Sequence, residues 1–283
     1  MQAGQSRNQP LVANARMYST GAAQAGTAWT SLLNWVVARA DAPLEVLDYP
    51  PPKPLDALWA RADLGCTFMC GLPYARDPRP LTPIIAPVVR GARYQGRPIY
   101  FTDIVVRADS PYRTLEDTFG GRVGYTVHHS QSGYVALREH LLPYRLEVGT
   151  SLYREVVGPL YGARDVVDAL LAGRIDVGPL DSYVLDLVRH LQPDTGAKLR
   201  TIATTRASPI PLFVATAPIG SDLVGNLQAA FRSAARAEEL KAERDMLLIA
   251  DFVIPEREPY QALRARADAA AAYPDVWQEG VTQ

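Results

Sequence analysis

The sequence predicts an α/β protein of two lobes, and three observations carry that expectation. Strand-like apolar runs alternate with amphipathic helical stretches from residue 11 onward, the order that builds sheets covered by helices. The run "LGCTFMCG" is apolar throughout and bounded by glycine, which suits a strand buried on both faces. A middle stretch, about Ile104 to Thr204, has a strand–helix series of its own between two extended segments, "IYFTDIVVR" and "TIATTRASPIPLFVAT". These segments read as crossovers. The expected division is a discontinuous lobe 1 over residues 1–103 and 205–283, with lobe 2 inserted over residues 104–204. Each lobe is expected to hold a mainly parallel sheet flanked by helices, with a cleft between the lobes where a small molecule could bind.

Taken in order, "LVANARMYS" (Leu11 to Ser19) alternates loosely and reads as the first strand. "TGAAQAG" is a small-residue loop, and Thr27 is the expected N-cap of "TAWTSLLNWVVARA", where Trp29, Leu32, Leu33, Trp35 and Val36 recur at helical spacing. Trp29 and Trp35 read as core. "PLEVLDY" is a short strand, and "PPPKP" a stiff break before the helix "LDALWARA". "LTPIIAPVV" and "RPIYFTDIVVRADSPY" are strands, the second ending at the turn signal Asp109-Ser110-Pro111. Thr114 followed three residues later by Asp117 has the pattern of a capping box. "GRVGYTV" is a further strand. "GARDVVDALLAGRIDVGPLDSYVLDLVRHL" gives a helix stopped at Gly173, the strand "IDVGPL" and another helix. "LRTIATT" and "IPLFVAT" are strands, and "GSDLVGNLQAAFRSAARAEELKAERDMLLI" is largely helical.

Composition narrows the function classes. The chain of 283 residues is 48% hydrophobic and 21% charged with net charge −1. That balance exerts no general pull toward nucleic acid or anionic membrane, so a charged partner must be met by a local site. No apolar run approaches the roughly 20 residues that span a bilayer, so no membrane insertion is expected. The opening "MQAGQSRNQPLVANARMYS" lacks the order of a secretory signal. Two readings follow: a cytoplasmic protein, or a periplasmic one whose leader was removed or replaced. Cys66 and Cys70, four apart, match neither a zinc set nor a redox CxxC, and read as buried apolar residues. There is no GxSxG, no Walker A and no dinucleotide fingerprint. No cofactor is expected.

The segment "HHSQSGYVALREHL", His128 to Leu141, concentrates the candidate chemistry. A strand runs through a loop into a helix, which gathers free backbone N–H groups and the positive end of the helix dipole at one point. Small hydroxyl residues there can donate hydrogen bonds while the backbone approaches an oxyanion closely. Ser130, Gln131 and Ser132 are the expected cradle, with Gly133 permitting close approach. The alternative is that Ser130 or Ser132 only caps the helix. His128 and His129 are adjacent, so on an extended segment they point to opposite sides and do not chelate one metal easily. One of them, named here as His129, is expected to line the cleft. No metal site is expected.

Four segments in this order resemble the phosphonate-binding, PhnD-like branch of the type 2 periplasmic binding proteins: "YFTDIVVRADSPYRTLEDTFGGRVGYT", "HSQSGYVALREHL", "YGARDVVDALLAGRIDVGPLDSYV" and "SPIPLFVA". The stretch "SPYRTLEDTFGGRVGY…SQSGY" is the most specific. The resemblance implies the two-lobe type 2 periplasmic-binding-protein fold, an anion cradle at "SQSG", an ABC permease as partner and no catalysis. Family members typically read Ser-Thr-Ser-Gly at the cradle, so Gln131 is a departure that adds an amide donor and bulk. The family often carries His in a Gly-Ser-His-Asp turn, where this chain reads Gly162-Ala163-Arg164-Asp165. Arg164 offers a donor fork for carboxylate, sulfonate or phosphate; the bland reading is a surface Arg near a helix start. Asp181 ends "IDVGPLD" at the carboxyl side of its strand, where open α/β sheets place ligands. Relatives use an acid near there for a ligand's amine, and the bland reading is an N-cap. From lobe 1 the candidates are Tyr18 and Ser19, Tyr74 after "CGLP", and Tyr100 and Thr102 on the first crossover, each equally able to be core packing.

The function expected is that of a solute-binding protein of an ABC importer. It would hold a small phosphonate- or phosphate-like anion or zwitterion and close two lobes about a two-strand hinge. The alternatives are a cytosolic enzyme on the same scaffold, with His128 or His129 as catalytic candidates, and a ligand sensor.

Overall fold

The computed structural model describes residues 10–19, 23–216, 219–273 and Trp277. Residues 1–9 and the Thr20–Ala22 part of the expected first loop lie outside the described residues. The first strand is shorter than its alternation suggests. β1 (Leu11–Asn14) gives way to a 3-10 turn at Arg16–Tyr18, because the Asn14 side chain accepts from the Arg16 N–H at 2.8 Å and turns the chain there. α1 (Ala23–Arg39) begins a turn earlier than expected, so Thr27 lies inside it and is not its N-cap. β2 (Leu44–Val46), α2 (Leu55–Trp59), β3 (Leu64–Met69), α3 (Gly71–Arg76) and β4 (Thr82–Val89) follow. The chain then crosses through β5 (Ile99–Tyr100) into β6 (Thr102–Arg107), β7 (Arg122–Gly124), α4 (Ala136–Val148), β8 (Glu155–Val157), α5 (Ala163–Leu171), β9 (Gly178–Asp181), α6 (Ser182–Leu191), α7 (Pro193–Gly196) and β10 (Leu199–Thr204). It returns through β11 (Ser208–Pro209) to β12 (Leu212–Ala215), α8 (Ser221–Ala234), α9 (Lys241–Met246), β13 (Ile249–Val253) and α10 (Glu258–Ala271).

Two main sheets result. The larger has the order β13-β4-β12-β3-β1-β2. β1 lies parallel to β2 and β3, but β12 runs antiparallel between β3 and β4, and β13 antiparallel on the β4 edge. β12 and β13 arrive after the return crossover, in the opposite direction, so the sheet is mixed where a mainly parallel one was expected. β3 is buried at every position, as its glycine-bounded apolar run requires. Trp29 of α1 is fully buried against Phe68, Phe213 and Phe252. Trp35 is not core: it is half-buried at the margin, with its indole N–H donating to Glu239 at 3.1 Å. Both cysteines are free and buried, and burial pushes the Cys66 thiol up to about 12.

The smaller sheet, β10-β6-β9, is antiparallel, and beside it β7 pairs parallel with β8. The long strand expected over residues 97–112 is broken at Phe101, whose N–H donates to the Ser182 hydroxyl at 3.0 Å and whose carbonyl accepts from the Ser182 N–H. The two crossovers pair with each other, with Ser208 opposite Tyr100. The Thr114–Asp117 capping box forms in both directions: the Asp117 carboxylate accepts from the Thr114 N–H at 2.9 Å, and the Asp117 N–H donates to the Thr114 hydroxyl at 3.3 Å. α10 packs on α3 and reaches α4 and the helical turn preceding it, where Arg266 meets Glu139 at 2.6 Å.

Candidate functional site

The junction singled out in the sequence has the expected path. From β7 the chain turns through Thr126 to Ser130 and enters a helix whose first turn, Gln131–Val135, is of the wide π type before α4 continues it. Such turns are frequent at functional sites. The Ser130 hydroxyl accepts from the Gly133 N–H at 3.0 Å, so Ser130 is an N-cap. Its O–H proton is still able to donate outward. Gly133 is required by packing: a Cβ there would stand 1.8 Å from the Thr126 hydroxyl oxygen. That close approach sets Thr126 against the helix start, with its buried Oγ1 left without a partner. The backbone carbonyl of Ser132 is held by the Thr102 hydroxyl at 3.0 Å.

The facing wall comes from the turn after β1. Tyr18 is fully buried, and its hydroxyl donates to Asp181 Oδ2 at 3.1 Å, joining the turn after β1 to the end of β9. Asp181 Oδ1 accepts from the N–H groups of Tyr183 and Val184 at 2.8 and 3.2 Å, which makes Asp181 the N-cap of α6. Burial raises its pKa to about 7, against the pull of those N–H groups and of Tyr18. A second bridge lies nearer the mouth, where His129 Nε2 is 3.1 Å from Asp56 Oδ1 of α2. His128 turns the other way and packs edge-on to Tyr134 and beside Tyr125.

Between these walls lies a cavity of about 1070 Å³. Of the residues singled out in the sequence, Tyr18, Ser19, His129, Ser130, Ser132, Gly133, Arg164 and Asp181 line it. Arg164 does so at the rim, with its Nε on Asp168 at 3.0 Å. Gln131, Tyr74, Tyr100 and Thr102 are not on the wall. The Gln131 side chain is fully buried and turned toward the Ser208 hydroxyl at 3.4 Å. Tyr74 sits on α3 in edge contact with Tyr260. Tyr100 is buried behind the wall, where burial first, with Cys70 and Asp181 nearby, holds its hydroxyl well above the usual range. Sequence reasoning passed over Arg16, Tyr49, Asp56 and Thr126, which also line the cavity. Arg16 falls inside the run read as the first strand, so its place two residues beyond the carboxyl end of β1 emerges only from the fold. Among the described residues no cluster of side chains is arranged to hold a metal ion.

The comparisons agree with this architecture. The model of the periplasmic substrate-binding proteins of phosphonate ABC transporters matches residues 67–260. No curated protein sequence matches. Among solved structures, a binding-protein component of an ABC phosphonate transporter from Pseudomonas aeruginosa superposes with a TM-score of 0.76 at 15% identity, covering 93% of this chain and 87% of that one. PhnD1 of Prochlorococcus marinus, in complex with methylphosphonate, gives 0.68 at 14% identity over 92% of this chain and 98% of its own. A Xanthomonas citri protein solved with ATP gives 0.66 at 17% identity over 93% and 99%.

Proposed function

The chain belongs to the family of periplasmic substrate-binding proteins of phosphonate ABC transporters, and from that premise we propose that its interlobe cavity holds the phosphono group of a small anionic or zwitterionic ligand for delivery to an ABC permease. The family is one of transport proteins and not of enzymes, so the catalytic alternative for His128 and His129 falls away. The observation that carries the reading is the convergence on one cavity of the helix start at Ser130–Gly133, the unpartnered Thr126 hydroxyl and the Tyr18–Asp181 bridge. Ser130 and Ser132 donate to the phosphono oxygens, with the helix dipole favouring the negative charge. Asp181 takes a ligand amine where one is present, since a buried carboxyl with a raised pKa becomes fully charged beside a cation. Arg164 at the rim attracts the anion. The lobes expected over residues 1–103 with 205–283 and over residues 104–204 close about the crossovers, which pair as β5 with β11.

A thermal-shift titration with methylphosphonate, aminoethylphosphonate, phosphate and methylsulfonate tests this. A ligand at 100 times its dissociation constant adds about 2.7 kcal/mol, so a bound phosphonate raises the melting temperature clearly. The expected order places aminoethylphosphonate above methylphosphonate, and both above methylsulfonate. A cavity that responds to none of the four is not a phosphono site.

A further inference from the structure

The cavity is larger than a one-carbon phosphonate needs. At about 1070 Å³ it stands at the top of the range that takes drug-sized ligands. It has that volume although Tyr18–Asp181 and His129–Asp56 already bridge the cleft. The cradle and Asp181 account for the wall nearest the smaller sheet only. On the side of the larger sheet, Met17, Leu47, Tyr49 and Trp59 supply apolar surface, and Arg16 lines the same side with Asn14, Asp48, Lys53 and Asp56.

Arg16 is held in position without being neutralised. Its Nη1 donates to the Lys53 carbonyl, and its guanidinium lies 5.5 Å from the centre of the Tyr49 ring, which Lys53 Nζ also approaches at 5.3 Å. Its Nε is buried with no partner. Among the described residues no carboxylate forms an ion pair with it, whereas Arg61, Arg79, Arg93 and Arg122 each have an aspartate. Burial draws its pKa down, the direction of a cation losing water without gaining an anion. A half-buried guanidinium with free donors is matched to an oxyanion supplied from outside the chain.

We propose that Arg16 receives a second oxyanion of the ligand, so that the cleft takes an organic diacid with one acidic group at the helix cradle and the other at Arg16. The body between them lies on Met17, Tyr49 and Trp59. The inference rests on the reading of the cradle as a phosphono site, and its test separates the two. Calorimetric titration compares methylphosphonate, phosphonobutyrate (a phosphonate with a distal carboxylate) and glutarate, on the wild-type protein, Arg16→Ala and Arg16→Lys, with melting curves to show that each variant is folded. Phosphonobutyrate is expected to bind the wild type at least roughly tenfold more tightly than methylphosphonate, the gain of a charge-assisted contact. Arg16→Ala collapses that ratio and Arg16→Lys keeps part of it. A wild-type ratio near one, or a ratio that survives in Arg16→Ala, overturns the proposal. Glutarate binding that depends on Arg16, with no phosphonate bound, supports the oxyanion site at Arg16 and overturns the cradle. Binding of none of the three overturns both.

Discussion

Asp181 shows how one side chain answers to several demands. It caps α6, accepts from Tyr18 and lines the cavity, and burial, outweighing those hydrogen bonds, raises its pKa to about 7. The unfolded chain ionises this group near 4, so the folded state holds a proton that the unfolded state has lost between those values. Its contribution to stability is complete below about pH 4 and is lost as pH rises toward 7, by on the order of 4 kcal/mol. Asp181→Asn keeps an acceptor for the α6 N–H groups and is expected to flatten that decline, as read from urea midpoints across the same pH range. The orphaned Thr126 hydroxyl makes a complementary prediction. Thr126→Val leaves stability unchanged or raised, because no hydrogen bond is lost. It weakens methylphosphonate binding by roughly tenfold or more if that hydroxyl serves the ligand, as calorimetry would show. Neither outcome could be foreseen from residue type: Asp181 was legible as a site candidate, but its burial and its contact with Tyr18 join positions 163 apart in sequence.

At the level of elements, the helix start at residues 131–148 is the most informative. Its capping serine and small-residue loop were legible because both obey local rules that any helix entry must satisfy. The reason for Gly133 was not, since the clash it avoids is with Thr126 of the incoming segment and not with a ligand. Gly133→Ala is expected to cost about 1–3 kcal/mol through overpacking. Ser130→Ala is expected to cost about 1 kcal/mol through the lost cap. Both are measurable as shifts in the denaturant midpoint at unchanged slope. β13 was missed for a related reason. The helical run before it stops at Leu248, a non-glycine residue at φ 53°, where no glycine or proline announces the end. α1 was misplaced by one turn because small residues ahead of Thr27 read as loop, although alanine is the strongest helix former.

Across the whole molecule, contacts between distant segments hold the two sheets together. Tyr18–Asp181 spans the cavity and His129–Asp56 lies at its more exposed end, while Arg266 of α10 reaches Glu139 of α4. The mouth pair is solvent-exposed, so it adds only about 0.2–1 kcal/mol. Asp56→Ala is therefore expected to raise the dissociation rate of bound methylphosphonate up to about fivefold in stopped-flow measurements, with the melting temperature of the free protein little changed. By itself, the sequence determined that this is an α/β chain whose middle stretch has a strand–helix series of its own, and that one strand–loop–helix junction runs from β7 into α4. Those features follow from local periodicity, capping chemistry and the order of recognisable segments, which are properties of neighbouring residues. Tertiary structure decided the mixed sheet order, the turning of Gln131 and Tyr100 away from the cavity, and the presence of Arg16 within it. These depend on which face of each element meets a partner far away in the chain, and side-chain direction across a cleft has no period along the sequence.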